Sequence, residues 1–160
     1  MATHCLDNWK QYLPSDDYNF LITYIENIRN DIPKDKMIIL FGPGRNGKST
    51  LIRNIQQYLG DEICGVQQAS GDIIHNEHIK KLIVLHGLCD ILRSKKKNNA
   101  TINLIKYNQS FIAETVALSD IRKDVLQLSK VIKMEHVFKS TSRKSLIKTK
   151  PLFKNWIELN

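Results

Sequence analysis

The chain has 160 residues, 42% of them apolar, which is enough for one globular domain with its own core. No apolar run approaches the ~18 residues that a membrane-spanning helix needs, and the three cysteines are too few and too widely spaced for a disulfide framework. The net charge of +8 is uneven, because residues 1–90 carry 9 basic and 11 acidic side chains whereas residues 91–160 carry 15 and 5. We therefore expect an intracellular protein with no membrane partner, whose basic second half either binds a polyanion, most simply a nucleic acid, or forms a solvated lysine-rich surface.

Predicted helices and strands alternate along the chain. A first helix is expected after Asp16 and Asp17, which can cap it, and it should extend to roughly Asn30. Two more helices are predicted, one at about 47–59 and one over most of 111–129. The segments with strand character are MIILF at 37–41, EICGVQ at 62–67, LIVL at 82–85, TINLIKYN at 101–108 and KVIKM at 130–134. This alternation predicts an α/β fold whose mostly parallel sheet is covered by helices on both faces.

Three segments are distinguished within this single domain. Residues 1–36 form an N-terminal helical segment, and residues 37–138 form the α/β core. Residues 139–160 form a basic tail with aromatic residues among the lysines, which either binds nucleic acid or is mobile.

A phosphate-binding loop is predicted between the first strand and the second helix. The segment GPGRNGKS at 42–49 satisfies the pattern G-x-x-x-x-G-K-[ST], and it has the strand before it and the helix after it that the pattern requires. Backbone N–H groups of such a loop surround a β-phosphate, and the helix N-terminus adds a positive dipole. Lys48 should reach the β- and γ-phosphates, and the Ser49 hydroxyl should ligate Mg²⁺. The residues predicted to bind the nucleotide are Gly42, Pro43, Gly44, Arg45, Asn46, Gly47, Lys48, Ser49 and Thr50.

The motif GPGRNGKSTLI…YLGD resembles the Walker A region of superfamily 3 helicases, in the version of poxvirus-type and other large-DNA-virus primase-helicases. The later segments HIKKLIVLHG, INLIKYNQS and LSDIRKDVLQLSKVIKMEHVF are similar to that family's Walker B strand, its motif C and the segment after motif C. The resemblance covers about residues 18–138 and implies an AAA+-like P-loop NTPase fold with ATP and Mg²⁺ as ligands. It also implies single-stranded nucleic acid, DNA rather than RNA, as a partner and a ring-shaped homo-oligomer, a hexamer in the family. A viral protein of this kind would be found in the host cytoplasm or in a viral factory.

The resemblance assigns catalytic roles beside Lys48. Asn108 corresponds to the polar sensor at the end of motif C, and Arg122 is the nearest arginine to the family's arginine finger. An alignment on the strand VIKM puts Lys130 at the finger position instead, where lysine is a poorer bidentate partner for phosphate. The strand LIVL is followed by HG where the family has an acidic pair, so that Asp90 is the first available carboxylate. We therefore expect a site that binds nucleotide and hydrolyses it slowly.

The same family carries a β-hairpin between its Walker B strand and motif C, and the tip of that hairpin contacts single-stranded DNA. Here Ile91 and Leu92 could begin one arm, residues 101–105 could form the other, and Asn98-Asn99 suits a turn. The candidate phosphate-binding residues near the tip are Arg93, Lys95, Lys96 and Lys97. A solvated loop that merely contains lysines is the alternative.

Two other functions remain open from the sequence. The missing acidic pair favours a degenerate, non-catalytic module that uses nucleotide as a structural ligand or assembly switch. The length also suits a small nucleotide or nucleoside kinase, although only 6 arginines are available for the lid of such an enzyme.

Overall fold

The computed structural model describes residues 4–32, 36–67, 81–85 and 109–138, together with five helical positions between residues 88 and 103. Those five are Leu88, Lys96, Asn99, Ile102 and Asn103. The helices are α1 (His4–Asp7), α2 (Ser15–Arg29), α3 (Lys48–Leu59) and α4 (Lys123–Gln127), with short 3₁₀ helices at Asn8–Gln11 and Leu118–Asp120. The strands are β1 (Met37–Phe41), β2 (Cys64–Gln67), β3 (Leu82–Leu85), β4 (Ser110–Thr115) and β5 (Ser129–Lys133).

The five strands form one parallel sheet in the order β2-β3-β4-β1-β5. Strand β1 lies between β4 and β5, with Leu40 paired to Glu114 on one side and to Ile132 on the other. Parallel strands end at the same edge of a sheet, so the loop that follows β1 lies beside the ends of β4 and β5. Ligands of open α/β sheets bind at this carboxyl edge.

Alternate side chains of the central strand enter two separate hydrophobic clusters. Ile38 and Leu40 pack with α1, α2 and α3 on one face, whereas Met37 and Ile39 pack with Phe111 and the residues around α4 on the other. Because both faces are covered, the strand sequences read as continuous apolar runs. The predicted α/β fold with a parallel sheet is confirmed.

Strand β4, one of the two neighbours of β1, lies in a segment that was expected to be a helix. Residues 111–129 were expected to be mainly helical, but Ser110–Thr115 is β4 and only Lys123–Gln127 is an α-helix. The strand expected at 101–108 is wrong at Ile102 and Asn103, which are helical, and its end at Asn108 lies outside the described residues. A short apolar run that is buried on both faces cannot be distinguished from a buried helix by its periodicity.

Two smaller predictions also need correction. The proposed β-hairpin is wrong where the structure describes it, because Lys96, Asn99 and Ile102 are helical. Helix α2 ends close to the predicted residue, but it begins at Ser15, so that Asp16 and Asp17 lie within its first turn and do not cap it. The carboxylate of Asp17 is instead 3.0 Å from the ammonium of Lys130 on β5.

Within the part of the chain that the structure describes, no helix is both long enough and apolar enough to span a bilayer.

Candidate functional site

The loop between β1 and α3 has a backbone conformation that favours glycine over residues with a Cβ atom. Gly47, immediately before α3, has a φ of 84°, and Arg45 has a φ of 64°, both in the left-handed region. At Gly42 a Cβ atom would lie 2.4 Å from the carbonyl oxygen of Met134 and 2.1 Å from the Asn46 amide nitrogen. Small residues at 42 and 47 therefore let the backbone turn tightly into the helix.

Lys48, the first residue of α3, directs its ammonium group back into the loop. Its Nζ donates hydrogen bonds to the carbonyl oxygens of Gly42 (2.7 Å) and Pro43 (2.8 Å) and to Asn46 Oδ1 (2.8 Å). The side chain is 7% exposed. Burial lowers the pKa of Lys48 below its ordinary value, and the negative charge of Glu114 opposes that effect. The ammonium is thus a cation held at the base of the loop.

Asn46 links the loop to the chain that follows β5. It is buried, and its Nδ2 donates to the carbonyl oxygen of Met134 at 2.8 Å while its Oδ1 accepts from Lys48. Further along, the Phe138 N–H donates to the carbonyl oxygen of Arg45 at 3.1 Å. The main chain of the loop is therefore fixed by the sheet on one side and by residues 134–138 on the other.

Aromatic side chains pack against the loop on the side of the N-terminal helices. Trp9 and Phe138 are in edge-to-face contact with ring centroids 6.3 Å apart, and their ring atoms lie 2.7 and 2.9 Å from the position that a Cβ of Gly47 would occupy. Tyr12 and His136 extend this group, each with its centroid within 5.0 Å of the Phe138 ring. The N-terminal helical segment therefore supports the loop directly.

A cavity of about 370 Å³ opens over the loop. It is lined by residues 44–50 and by Glu114 and Val116 at the end of β4. The Ser49 hydroxyl donates to the Glu114 carboxylate, with its Oγ 3.0 Å from one oxygen and 3.2 Å from the other. The site thus combines backbone N–H groups, a cation, a hydroxyl and a carboxylate around one cavity, which is the donor set that a phosphate with a hard divalent cation requires.

The sequence analysis did not identify Glu114 as a site residue. The feature that could have identified it is its position directly after the apolar run SFIA. Functional side chains of parallel sheets lie at such carboxyl ends of strands. The assignment of this segment to a helix concealed that signal.

No protein-family model and no curated protein matches the sequence. Among solved structures, the chain is similar to PCH-2 of C. elegans, an AAA+ ATPase, with a TM-score of 0.55 and 12% sequence identity. The similarity covers 94% of this chain and 52% of the PCH-2 chain, so the protein spans about half the length of that neighbour. The chain therefore has an α/β fold of the P-loop type, with a five-stranded parallel sheet flanked by helices.

The fold brings some of the predicted site residues together and leaves others apart. Seven of the predicted nucleotide-binding residues, 44–50, line the cavity, and Gly42 and Pro43 accept hydrogen bonds from Lys48. Arg122 is exposed just before α4, with its guanidinium 3.3 Å from Asp124. Lys130 pairs with Asp17 and lies over the ring of Phe20, at 5.7 Å from the centroid. Neither of these two candidate finger residues is part of the cavity lining.

Most of the other predicted site residues lie outside the part of the chain that the structure describes. These are Asp90, Arg93, Lys95, Lys97 and Asn108. Lys96 is described, and it is helical and exposed. Their assigned roles remain predictions.

Proposed function

We propose that the protein is an ATP-binding domain of the AAA+ type that resembles the ATPase domain of viral superfamily 3 helicases. The observation that carries the proposal is the cavity over residues 44–50, with the Lys48 ammonium at its base and the Ser49 hydroxyl at its wall. A triphosphate fits this arrangement, because backbone donors and a buried cation offset its charge. Mg²⁺ would be held through Ser49, and it would neutralise charge on the phosphates.

Replacing Lys48 tests the nucleotide site. We expect Lys48→Ala to weaken ATP binding by about 10- to 100-fold, because a hydrogen bond to a charged group contributes about 1.5–3 kcal/mol. Lys123→Ala, which removes a lysine that is exposed on α4, is the matched control and should bind as the wild type does. Isothermal titration calorimetry gives both affinities, and circular dichroism shows whether each variant is folded. Equal affinities of the wild type and Lys48→Ala would refute the nucleotide site.

We propose slow hydrolysis rather than rapid turnover. The described part of β3, Leu82–Leu85, is entirely apolar and buried, and the next two residues in the sequence are His86 and Gly87, not acids. Metal-assisted phosphoryl transfer needs both the metal and the attacking water in position. Asp90 is the nearest acid in the sequence after β3, so Asp90→Asn should reduce the remaining turnover. This proposal would be contradicted if the wild type hydrolysed ATP at ordinary helicase rates and Asp90→Asn left the rate unchanged.

Single-stranded nucleic acid and a ring-shaped homo-oligomer complete the proposal. The basic balance of residues 91–160 supports the nucleic-acid partner, and the resemblance to superfamily 3 helicases supports both the partner and the ring. A phosphate-release assay, run with and without single-stranded DNA and then with nucleosides as acceptors, separates the candidate functions. Stimulation by DNA supports the helicase-type ATPase, transfer to a nucleoside supports a kinase, and binding without release supports a non-catalytic module.

A further inference from the structure

A carboxylate lies beside the phosphate loop, on a strand that was expected to be part of a helix. Glu114 is the fifth residue of β4, and β4 is hydrogen-bonded directly to β1, with Glu114 paired to Leu40. Strand β3, after which the resemblance looks for the acidic pair, is one strand further away from the loop. A residue at the end of β4 is therefore closer to the loop than one at the end of β3.

The carboxylate of Glu114 faces the hydroxyl of Ser49 at the start of α3. Both of its oxygens are within 3.2 Å of Ser49 Oγ, and the side chain is half-buried at the wall of the cavity. It is also the charged group whose field acts on the Lys48 ammonium. Glu114 and Ser49 together present oxygen atoms to one small volume next to the cation.

This placement conflicts with a bare nucleotide. A triphosphate in the cavity would bring several negative charges close to the Glu114 carboxylate, and in a partly desolvated site like charges repel strongly. A divalent cation between the two removes the conflict, because Mg²⁺ is commonly held by one or two protein oxygen groups together with phosphate oxygens. A hydroxyl and a carboxylate are hard oxygen ligands of the kind that Mg²⁺ prefers.

We propose that Glu114, acting with Ser49, holds the Mg²⁺ of a bound nucleotide, in place of the acidic pair that is missing after β3. The inference rests on the proposed nucleotide site. It predicts that the wild type discriminates strongly between ATP with Mg²⁺ and ATP without it, and that this discrimination depends on Glu114. Removing its charge should weaken binding of Mg²⁺–ATP while leaving binding of metal-free ATP equal to or tighter than that of the wild type.

The experiment measures the affinity for a fluorescent ATP analogue in Mg²⁺ and in EDTA. We expect the wild type to bind at least tenfold more tightly in Mg²⁺, and Glu114→Gln, which keeps the shape and one acceptor oxygen, to reduce that ratio below about threefold. Glu135→Gln is the matched control, because Glu135 is an exposed carboxylate whose partner is Lys133. Thermal melts check that all proteins are folded. If Glu114→Gln is unstable, Glu114→Asp replaces it as the test, because it shortens the side chain but keeps the charge. Its ratio of affinities in Mg²⁺ and in EDTA should then lie below that of the wild type and above about threefold.

The outcomes separate this inference from the proposal on which it depends. If the wild type binds the analogue but Glu114→Gln keeps the full preference for Mg²⁺, the nucleotide site stands and the metal role of Glu114 is wrong. The same conclusion follows if the wild type binds equally well in Mg²⁺ and in EDTA. If the wild type binds under neither condition, the nucleotide site itself fails, and the metal role fails with it. Mn²⁺ in place of Mg²⁺ gives a second readout, since its electron paramagnetic resonance signal from the ternary complex should be lost in Glu114→Gln.

Discussion

At Gly47 of the phosphate loop, a larger side chain would meet packed aromatic rings. A Cβ atom there would lie 2.7 Å from Cη2 of Trp9 and 2.9 Å from Cε2 of Phe138, and the backbone has a φ of 84°. Both neighbours are ring atoms of packed aromatic side chains, which cannot shift as the end of a flexible side chain can. The glycine thus meets a steric and a conformational requirement at one position.

We expect Gly47→Ala to lower the free energy of unfolding by about 1–3 kcal/mol, through backbone strain and displacement of the aromatic rings. Gly44→Ala is the matched control within the same loop, because a Cβ at Gly44 meets no atom within 4 Å. Its effect should stay within about 0.5 kcal/mol. Urea denaturation monitored by tryptophan fluorescence measures both. Equal stability of the two variants would show that the loop tolerates a side chain against Trp9.

At the scale of elements, the contact between α1 and α3 contains an unusual buried amide. Asn54 on α3 is completely buried, and neither its Nδ2 nor its Oδ1 has a hydrogen-bond partner in the structure as described. Its backbone carbonyl is used, since it accepts from the thiol of Cys5 on α1 at 3.7 Å. Burial of an unsatisfied amide costs about 1–3 kcal/mol.

Asn54→Leu should therefore raise the free energy of unfolding by about 1–2 kcal/mol, because leucine has a similar volume and no polar atoms to desolvate. Gln57→Leu, at an exposed position of the same helix, serves as the control and should change stability little. Differential scanning calorimetry compares the three melting temperatures. A lower melting temperature for Asn54→Leu would mean that a buried water or another group satisfies the amide.

The elements also show how far the sequence determined the fold and the site. Strand β1, the phosphate loop and α3 were predictable because a specific spacing of glycine, lysine and serine joins an apolar run to an amphipathic helix. Strand β4 was not, because its buried run SFIA lacks the alternation of a half-exposed strand and is followed by apolar residues at helical spacing. The contact between Ser49 and Glu114 depends on which strand lies next to β1, and strand order is a property of the whole sheet that no local pattern contains.

At the scale of the whole molecule, the charge is divided along the chain, with a strongly basic second half. If Lys95, Lys96 and Lys97 contact backbone phosphates, binding of single-stranded DNA should weaken steeply with salt, by about 0.7 in the log–log slope for each phosphate neutralised. Replacing the three lysines together with Ala should then flatten the slope by about two units and leave ATP binding intact. Fluorescence anisotropy across a salt series measures the slope.

The basic tail at residues 139–160 is the competing element, and its deletion is the comparison. If the deletion abolishes DNA binding in a protein that is still folded, while the triple substitution keeps its full salt slope, the tail is the binding element and the proposal for the three lysines fails. Sedimentation velocity with and without Mg²⁺–ATP, on the same samples, determines whether the nucleotide promotes assembly.

The hydrogen bond from the Phe138 N–H to the Arg45 carbonyl has a mechanical consequence. Together with the bond from Asn46 to Met134, it attaches the chain to the phosphate loop at the point where it leaves the sheet. A pulling force applied to any segment joined after Phe138 is therefore transmitted to the loop before it reaches β5. In an optical-tweezers experiment with handles at Met1 and beyond Phe138, the first event on stretching should be the detachment of residues 134–138 from the loop, and a nucleotide in the cavity should raise the force at which it occurs.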